Sequence, residues 1–350
     1  MAVGGSGSCL PSYYGAPDLR VRKRIMVLPQ PTGPCAMNLL YSMKYLVALN
    51  EHRHFARAAE ACHITQPALS NALRALEEEF NVVIVRRGRT FAGLTPEGEQ
   101  VLAAGRRMLH EQQVLQQALK STVDSPAGGL IIGAVPTAVP IAARFAAMLQ
   151  ARHPAIMPTV LSMSSSELET RLDNLSIDLG LGYTERMGQG GVRLEAIPQY
   201  VEHYFLLHRA AKPHAHELQI GKPISWKVAA ERPLCLLTPD MHNRTIVNTA
   251  FASAGCNVTA IIETNSILTM ALSVVAGQVC SIMPGALVSA VRGYRELEAL
   301  PLEGPQVRTP IGFMRHAQAR ASRAMEAALA LAEDGHWLRH AATHSGLMAA

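Results

Sequence analysis

Apolar residues repeat with a helical period soon after the first 36 residues of the chain. Five of them fall on one helical face and predict a first helix: Leu39, Leu40, Met43, Leu46 and Val47. A second, shorter helix is predicted from His54 to Ala61, with Phe55 and Ala58 on its apolar side. The chain therefore opens its regular structure with two short helices.

A third helix carries the strongest local signals. Thr65 is a suitable N-cap, and Pro67 lies in the first turn, where its missing N–H costs nothing. Leu69, Leu73 and Leu76 recur at helical spacing and predict the buried side. The opposite side presents groups suited to base edges and phosphates, namely Gln66, Ser70, Asn71 and Arg74. An ordinary solvated helix face has the same composition, so this face alone leaves both interpretations open.

A short basic hairpin is predicted after the third helix. Val82–Val85 and Thr90–Leu94 are two β-type runs, and the turn between them holds three arginines: Arg86, Arg87 and Arg89. Two helices joined by a tight turn and followed by such a hairpin make a winged helix-turn-helix. We therefore predict a mainly α DNA-binding domain over residues 37–95, with the third helix in the major groove and the arginines on phosphates or in the minor groove.

A long amphipathic helix is predicted next. Thr95-Pro96-Glu97 begins it, and we assign residues 96–123 to this linker helix. Four leucines recur along one side: Leu102, Leu109, Leu115 and Leu119. An isolated helix of this length needs a partner for its apolar stripe, so we expect two copies of the chain to dimerise through it.

Strands alternate with helices in the second half of the chain, from residue 128 to residue 336. The predicted strands are Leu130–Val135, Met157–Leu161, Leu179–Tyr183, Val258–Glu263 and Val279–Met283. The predicted helices between them are Ile141–Ala151, Ser166–Asn174 and Ser266–Ala276. This alternation is typical of a parallel α/β sheet, and its length predicts two lobes. We interpret residues 337–350 as a tail.

The net charge of +5 and the pI near 9.0 arise mainly at the beginning of the chain. Residues 1–36 hold four basic residues against one acidic residue, whereas the remainder is nearly balanced. Charge alone is therefore weak support for DNA binding. These 36 residues are rich in Gly, Pro and Ser and lack a period, so we expect a disordered extension or upstream sequence read from an early start codon, with Met37 as the natural beginning.

Six scattered cysteines form no C-x-x-C pair. In a chain of 350 residues this indicates reduced thiols and a cytoplasmic protein. The uncharged stretch Ser266–Val291 is long enough to span a bilayer, but Gly277 and Pro284 interrupt it. We expect a helix, a buried strand and another helix there, and no membrane partner.

One run identifies a family. Residues 55–77, FARAAEACHITQPALSNALRALE, closely resemble the DNA-binding signature of LysR-type transcriptional regulators, and Leu94-Thr95-Pro96-Glu97-Gly98 resembles the junction of wing and linker. The resemblance runs from Met37 to about His336. It implies a two-lobed, periplasmic-binding-protein-like effector domain, a homotetramer, and DNA contacts from Gln66, Ser70, Asn71 and Arg74. We add Thr65 and Pro67, at the start of the same helix, to the candidate DNA-binding residues.

Several segments depart from parts of that family. The flanks His52-Arg53-His54-Phe55 and Cys62-His63 resemble the peroxide-sensing branch, which senses oxidation through two effector-domain cysteines. The comparable segment Pro239–Arg244 holds no cysteine, so a thiol switch remains only an alternative. Glu263-Thr-Asn-Ser-Ile267 and Met283-Pro284-Gly285 resemble the branch that contains the cyanate-operon regulator.

An effector should bind between the lobes, beyond the carboxyl ends of strands and near helix N-termini. The candidate residues are Thr137, Ser164, Ser165, His203, Arg244, Asn265 and Ser266. Their hydroxyl, amide and basic groups suit a small anion, such as a short carboxylate, although plain N-capping explains any single serine equally well. A cationic or metal effector would need carboxylates there.

Other chemistries have weaker support in the sequence. His52-x-His54 and His214-x-His216 lack partners at metal-ligand spacing, so we expect surface histidines and no metal site. No nucleophile elbow, phosphate loop or dinucleotide fingerprint follows a strand, so we expect neither an enzyme nor a cofactor. The expected partners are double-stranded promoter DNA, a small-molecule effector, further copies of this chain and RNA polymerase.

Overall fold

The computed structural model of the chain describes residues 38–88, 91–121, 125–187 and 193–345. Helices α1 (Leu39–His52), α2 (Phe55–Ala61) and α3 (Gln66–Phe80) pack on one another, and an antiparallel hairpin of β1 (Val85–Arg87) and β2 (Phe91–Leu94) follows. This confirms the predicted winged helix-turn-helix. The predicted extension of residues 1–36 lies outside the described residues.

Local chemistry sets both ends of α3. The Thr65 hydroxyl accepts a hydrogen bond from the backbone N–H of Ala68 at 3.4 Å, which caps the first turn as predicted. Asn81 ends the helix with a left-handed φ of 53°. The next strand begins at Val85 rather than Val82. At its start, the Glu77 carboxylate accepts hydrogen bonds from the N–H groups of Ile84 and Val85, each at 3.0 Å.

Helix α4 (Pro96–Lys120) is the linker helix, and its leucines divide between two faces. Leu102 is buried against α1, where Gly105 also lets the Met43 side chain approach closely. In contrast, Leu115 is 58% exposed and Leu119 is 79% exposed. The predicted single stripe is therefore wrong, since its first part packs inside the protomer and its second part remains open.

The first α/β lobe contains a five-stranded sheet in the order β4-β3-β5-β14-β6. Its strands are β3 (Gly128–Ala134), β4 (Ile156–Ser162), β5 (Leu179–Tyr183), β6 (Leu194–Glu202) and β14 (Thr309–His316). The first three are parallel, as predicted, whereas β14 pairs antiparallel with β5 and β6. Helices α5 (Val139–Arg152), α6 (Ser165–Asp173) and α11 (Arg323–Ala332) complete this lobe with a last helix, α12 (Gly335–His344).

The last helix corrects the assignment of residues 337–350 as a tail. Trp337 is fully buried, stacks edge to face on Phe145 at 5.0 Å, and donates its indole N–H to Gln199 at 2.6 Å. Ala341, one turn later, is also fully buried. Residues 337–345 therefore belong to the core of the first lobe, and residues 346–350 lie outside the described part.

The second lobe contains a seven-stranded sheet with the path β11-β10-β12-β7-β13-β8, on which β9 pairs with β13. The strands are β7 (Tyr204–Arg209), β8 (Gln219–Ile220), β9 (Ile224–Ser225), β10 (Leu234–Leu237), β11 (Ile262–Thr264), β12 (Cys280–Pro284) and β13 (Leu297–Glu303). Its helices are α7 (Trp226–Ala230), α8 (His242–Ser253), α9 (Ile267–Ala276) and α10 (Gly285–Ala290).

The chain crosses between the lobes twice. It passes from β6 to β7 through His203, and it returns between β13 and β14. The uncharged stretch forms α9, β12 and α10, as predicted. No helix among the described residues is both long enough and apolar enough to cross a bilayer. The predicted order of winged helix-turn-helix, linker helix and two-lobed α/β region is confirmed.

Candidate DNA-binding surface and effector site

The outer side of α3 presents the polar face that the sequence predicted. Gln66, Asn71 and Arg74 are exposed and Ser70 is half-buried, whereas the leucines of the opposite side are buried. Pro67 is exposed in the first turn. The helix thus combines a well-packed inner side with a free outer side that carries amide and guanidinium groups.

The hairpin places its arginines differently from the predicted turn. Arg86 lies on strand β1 with an exposed side chain, and Arg87 is the last residue of that strand. Arg89 lies outside the described residues. Phe91 fixes the hairpin on the helices, since its ring meets that of Phe55 edge to face at 6.3 Å and the guanidinium of Arg53 lies 5.6 Å from its centroid.

A small cavity lies between the two α/β lobes. The first lobe contributes Val135, Pro136, Thr137, Ser165 and Tyr183, and the second contributes Leu237, Met241, His242 and Asn243. Its volume is about 10 Å³, close to the least that one water molecule needs. Thr137 and Ser165 were predicted here, and the lining holds hydroxyl, amide and imidazole groups but no carboxylate.

The remaining predicted effector residues do not line this cavity. Ser164 and Ser266 are N-caps, accepting hydrogen bonds from the N–H groups of Glu167 and Thr269 at 3.3 Å each. Asn265 is exposed. Each serine therefore serves the role that the alternative interpretation gave it.

The two predicted basic residues are also engaged elsewhere. The Arg244 guanidinium is buried and donates to the carbonyl of Leu237 at 2.6 Å and to Glu263 at 2.8 Å, which ties α8 to the sheet. His203 lies half-buried at the crossover, where burial and then Arg308 lower its pKa. Neither residue brings positive charge to the cavity lining.

A buried hydrogen-bond chain leads from the cavity toward the crossover. The hydroxyls of Thr137 and Tyr183 lie 2.8 Å apart. Asn243 donates to the hydroxyl of Tyr204 at 3.2 Å, and that hydroxyl lies 3.4 Å from the hydroxyl of Thr309. Sequence reasoning missed Tyr183 and Asn243, although the position of Tyr183 at the carboxyl end of a predicted strand was a usable signal.

An unusual carboxyl group lies next to this chain. Glu202 is fully buried, and the Tyr200 hydroxyl donates to its Oε1 at 3.5 Å. Among the described residues, no hydrogen-bond donor reaches its Oε2. Burial raises the pKa of Glu202 to about 8, against the opposing effect of the Tyr200 hydrogen bond. The carboxyl group is therefore mainly protonated at neutral pH.

The described cysteines are free thiols. Burial raises the pKa of Cys62, Cys235 and Cys280, and this disfavours the reactive thiolate form. The described residues also contain no cluster of three or more side chains that could hold a metal ion.

Two family models match the chain. Residues 40–99 match the bacterial regulatory helix-turn-helix protein model of the lysR family, and residues 124–336 match the LysR substrate binding domain. The chain belongs to the LysR family of regulators. The helix-turn-helix match covers the α3 face. The substrate-binding match covers the cavity and both lobes except most of the last helix, α12.

Individual relatives of this LysR-type chain match over different lengths. The DNA-binding transcriptional dual regulator OxyR of Escherichia coli (strain K12) is 39% identical over 90 residues, which is 26% of this chain and 30% of that protein's length. The HTH-type transcriptional regulator CfxR of Cupriavidus necator is 25% identical over 250 residues, covering 70% of this chain and 75% of the relative.

Solved structures share the architecture of this LysR-type chain. Full-length OxyR from Pseudomonas aeruginosa, in a variant form, matches with a TM-score of 0.63 and 23% identity over 84% of this chain and 96% of that one. Full-length CbnR in complex with its target DNA matches with a TM-score of 0.58 and 20% identity over 87% and 99%. At these identities the likeness establishes the fold.

Proposed function

We propose that this LysR-type protein is a sequence-specific DNA-binding transcription regulator whose grip on DNA is controlled by a small anion bound between its lobes. The observation that carries the DNA-binding part is the exposed polar face of α3. Gln66, Asn71 and Arg74 project from a helix whose other side is fully packed, and Arg86 on the hairpin adds an exposed cation beyond it. Amide and guanidinium groups at this spacing suit base edges in the major groove.

Two copies of the chain would place two such helices on one DNA site. The linker helix leaves three apolar side chains exposed in one stripe, Met108, Leu115 and Leu119, at helical spacings of seven and four residues. A second copy of the same stripe is a matching partner, because a self-complementary contact gives a symmetric dimer. The family membership supports further association of dimers into a tetramer, with RNA polymerase as a further partner.

The cavity favours a small anion or short carboxylate as effector. Its lining offers the Ser165 hydroxyl, the second N–H of the Asn243 amide, and one hydroxyl of the Thr137–Tyr183 pair, since the other hydroxyl of that pair donates within it. A cation would find no carboxylate in this lining. The cavity as it stands has room for about one water molecule, so the lobes must separate to admit an anion of several atoms. An anion that binds the closed lobes and the open lobes with different affinities would shift the balance between the two states. That shift would change the arrangement of the DNA-binding domains.

DNA selection followed by titration tests both parts. We expect the purified full-length chain to enrich one motif from a random duplex pool, and fluorescence anisotropy then measures its affinity for that motif. Formate is the probe anion and ammonium the matched cation. Formate should change the DNA affinity of the wild type and have a weaker effect on Thr137→Val, which keeps the shape but loses the hydroxyl. An equal response to ammonium, or no response to either ion, would contradict the anion assignment.

Redox sensing is the alternative on the same scaffold. A relative named hydrogen peroxide-inducible genes activator, from Pectobacterium carotovorum, brings it forward, since it is 39% identical over 90 residues. That match covers only 30% of the relative's length. The raised thiol pKa values also disfavour rapid oxidation. A peroxide titration that follows free thiols and DNA affinity together would support this alternative only if both change at the same dose.

A further inference from the structure

An imidazole of the second lobe reaches across to the first lobe beside the cavity. His242 is the first residue of α8, and its ring meets Tyr183 edge to face at a centroid distance of 4.9 Å. Its Nε2 lies 3.3 Å from Oε1 of Glu185, and its Nδ1 lies 3.4 Å from a terminal nitrogen of Arg186. Tyr183, Glu185 and Arg186 belong to the first lobe and His242 belongs to the second, so each contact joins the lobes.

The two charged neighbours select one form of the His242 ring. The Arg186 guanidinium can only donate hydrogen bonds, and the Glu185 carboxylate can only accept them. A neutral ring with its proton on Nε2 satisfies both, since Nε2–H donates to Glu185 and Nδ1 accepts from Arg186. Burial lowers the pKa of His242, although the hydrogen bond to Glu185 acts against this, so the ring is mainly neutral at neutral pH.

Arg186 is itself held firmly within the first lobe. Its Nε donates to one oxygen of Glu169 at 2.8 Å and a terminal nitrogen donates to the other at 3.4 Å. The side chains of Arg186 and Glu169 are only 24% and 19% exposed. This paired contact holds the guanidinium within the first lobe, so Arg186 cannot move with the second lobe. A rotation that separates the lobes must therefore break the contacts of His242 with both Glu185 and Arg186.

We propose that His242, through Glu185 and Arg186, is a latch that holds the two lobes closed around the cavity and thereby sets effector affinity. The latch is a property of the unliganded chain, and only the statement on effector affinity rests on the function proposed above.

Protonation of the ring should release the latch. The groups that face His242 are Tyr183, Glu185, Arg186 and, behind the guanidinium, Glu169. A proton on Nδ1 replaces the acceptor that Arg186 uses with a second donor. The pKa of His242 is lowered from 6.5 in the closed state, so the neutral ring favours closure at pH values above 6.5. This contribution to closure is lost as the pH falls through the lowered pKa of the closed state. We therefore expect the lobes to open at mildly acidic pH.

Hydrogen exchange of the full-length, unliganded protein measures opening directly. At pH 7, His242→Ala and Glu185→Ala should each speed exchange of peptides covering residues 134–139 and 182–187 by about two- to fivefold, the range expected for a partly exposed pair. The double variant should exchange no faster than the faster single variant, because both changes break one interaction. The matched control is Glu167→Ala, which breaks the Arg171 pair inside the first lobe and should leave these peptides unchanged.

Further variants keep the test decisive. If His242→Ala folds poorly, Glu185→Ala carries the measurement, since the Glu185 side chain is 44% exposed. His242→Gln keeps one N–H donor for Glu185 and should recover part of the protection. Exchange equal to that of the wild type, or additive effects in the double variant, would overturn the latch. The double variant could exchange no faster than the faster single variant in a protein that fails to bind formate. That result would leave the latch standing and refute only the formate assignment.

Discussion

Glu202 and Tyr200 share a hydrogen bond of 3.5 Å in a fully buried position at the end of β6, one residue before the first crossover between the lobes. Tyr183 and Tyr204 lie near enough for the Glu202 charge to raise the pKa of both hydroxyls, after the larger effect of burial. A negative charge here would face three tyrosines and no cation among its described neighbours. The acid is therefore held as a neutral hydrogen-bonding group.

This arrangement gives the stability a defined pH dependence. In the unfolded chain the Glu202 carboxyl ionises near pH 4.5, whereas in the folded chain it keeps its proton up to about pH 8. Between these values the folded state binds more protons, so its contribution to stability falls as the pH rises, by roughly 1.4 kcal/mol per pH unit. Glu202→Gln, which mimics the neutral acid, should be more stable than the wild type at pH 8 and similar at pH 4.5.

Urea unfolding at several pH values measures this difference. Glu167→Gln is the matched control, because its carboxylate is exposed and paired with Arg171. A difference between Glu202→Gln and the wild type that does not grow from pH 5 to pH 8 would contradict a protonated Glu202.

Trp337 should contribute strongly to the stability of the first lobe. The fully buried indole packs on Phe145 and donates to Gln199, so Trp337→Ala leaves a large cavity and removes the donor to the Gln199 side-chain oxygen. We expect a loss of about 3–5 kcal/mol in the free energy of unfolding. His336→Ala changes the exposed preceding residue and should have little effect. Equal stabilities for the two variants would show that α12 does not belong to the core.

The helices α3 and α12 show how far the sequence could predict the structure. Thr65, Pro67 and the leucines of α3 act through neighbours within the same helix, so their pattern in the sequence was sufficient. Trp337 was missed because the helix around it is short and rich in His and Arg, and its partner Gln199 is 138 residues away.

The cavity shows the same limit. Thr137 and Ser165 could be found because they follow strands at the carboxyl edge of a parallel sheet. Tyr183 and Asn243 meet there only because the lobes face each other, and no local period encodes that orientation. Likewise, β14 enters the sheet between β5 and β6 from a segment more than 100 residues later, which an alternation of strands and helices does not indicate.

Arg74 should contribute to sequence preference. Its side chain is exposed near the middle of α3, where it is the last residue of the polar face, and a contact with a base is worth about 1–3 kcal/mol. We expect Arg74→Ala to weaken binding to the selected motif more than binding to a scrambled duplex. Arg209→Ala, with the same loss of charge at an exposed position in the second lobe, is the control. An equal loss on both duplexes would assign Arg74 to the phosphates instead.

Arg86 should act on the DNA backbone. It is exposed on strand β1 of the hairpin and is not part of α3, the helix that we propose contacts the bases. Losing one phosphate contact lowers the slope of log affinity against log salt by about 0.9 and weakens all sequences alike. Anisotropy titrations of Arg86→Ala from low to moderate salt measure that slope. An unchanged slope would mean that Arg86 is only a solvated side chain.

Leu119 should decide association of the chain rather than its folding. At 79% exposure it contributes little to the core of its own protomer, yet it continues the stripe of Met108 and Leu115. Leu119→Glu places a carboxylate in a contact that a second copy would bury, where an unpaired charge is costly. We expect sedimentation to show a smaller assembly with an unchanged unfolding midpoint measured at low protein concentration. Gln116→Glu adds the same charge at an exposed position beside the stripe and should keep the wild-type assembly. A Leu119→Glu variant that sediments like the wild type would exclude this stripe from the dimer contact, and the linker helix would then need another surface for its partner.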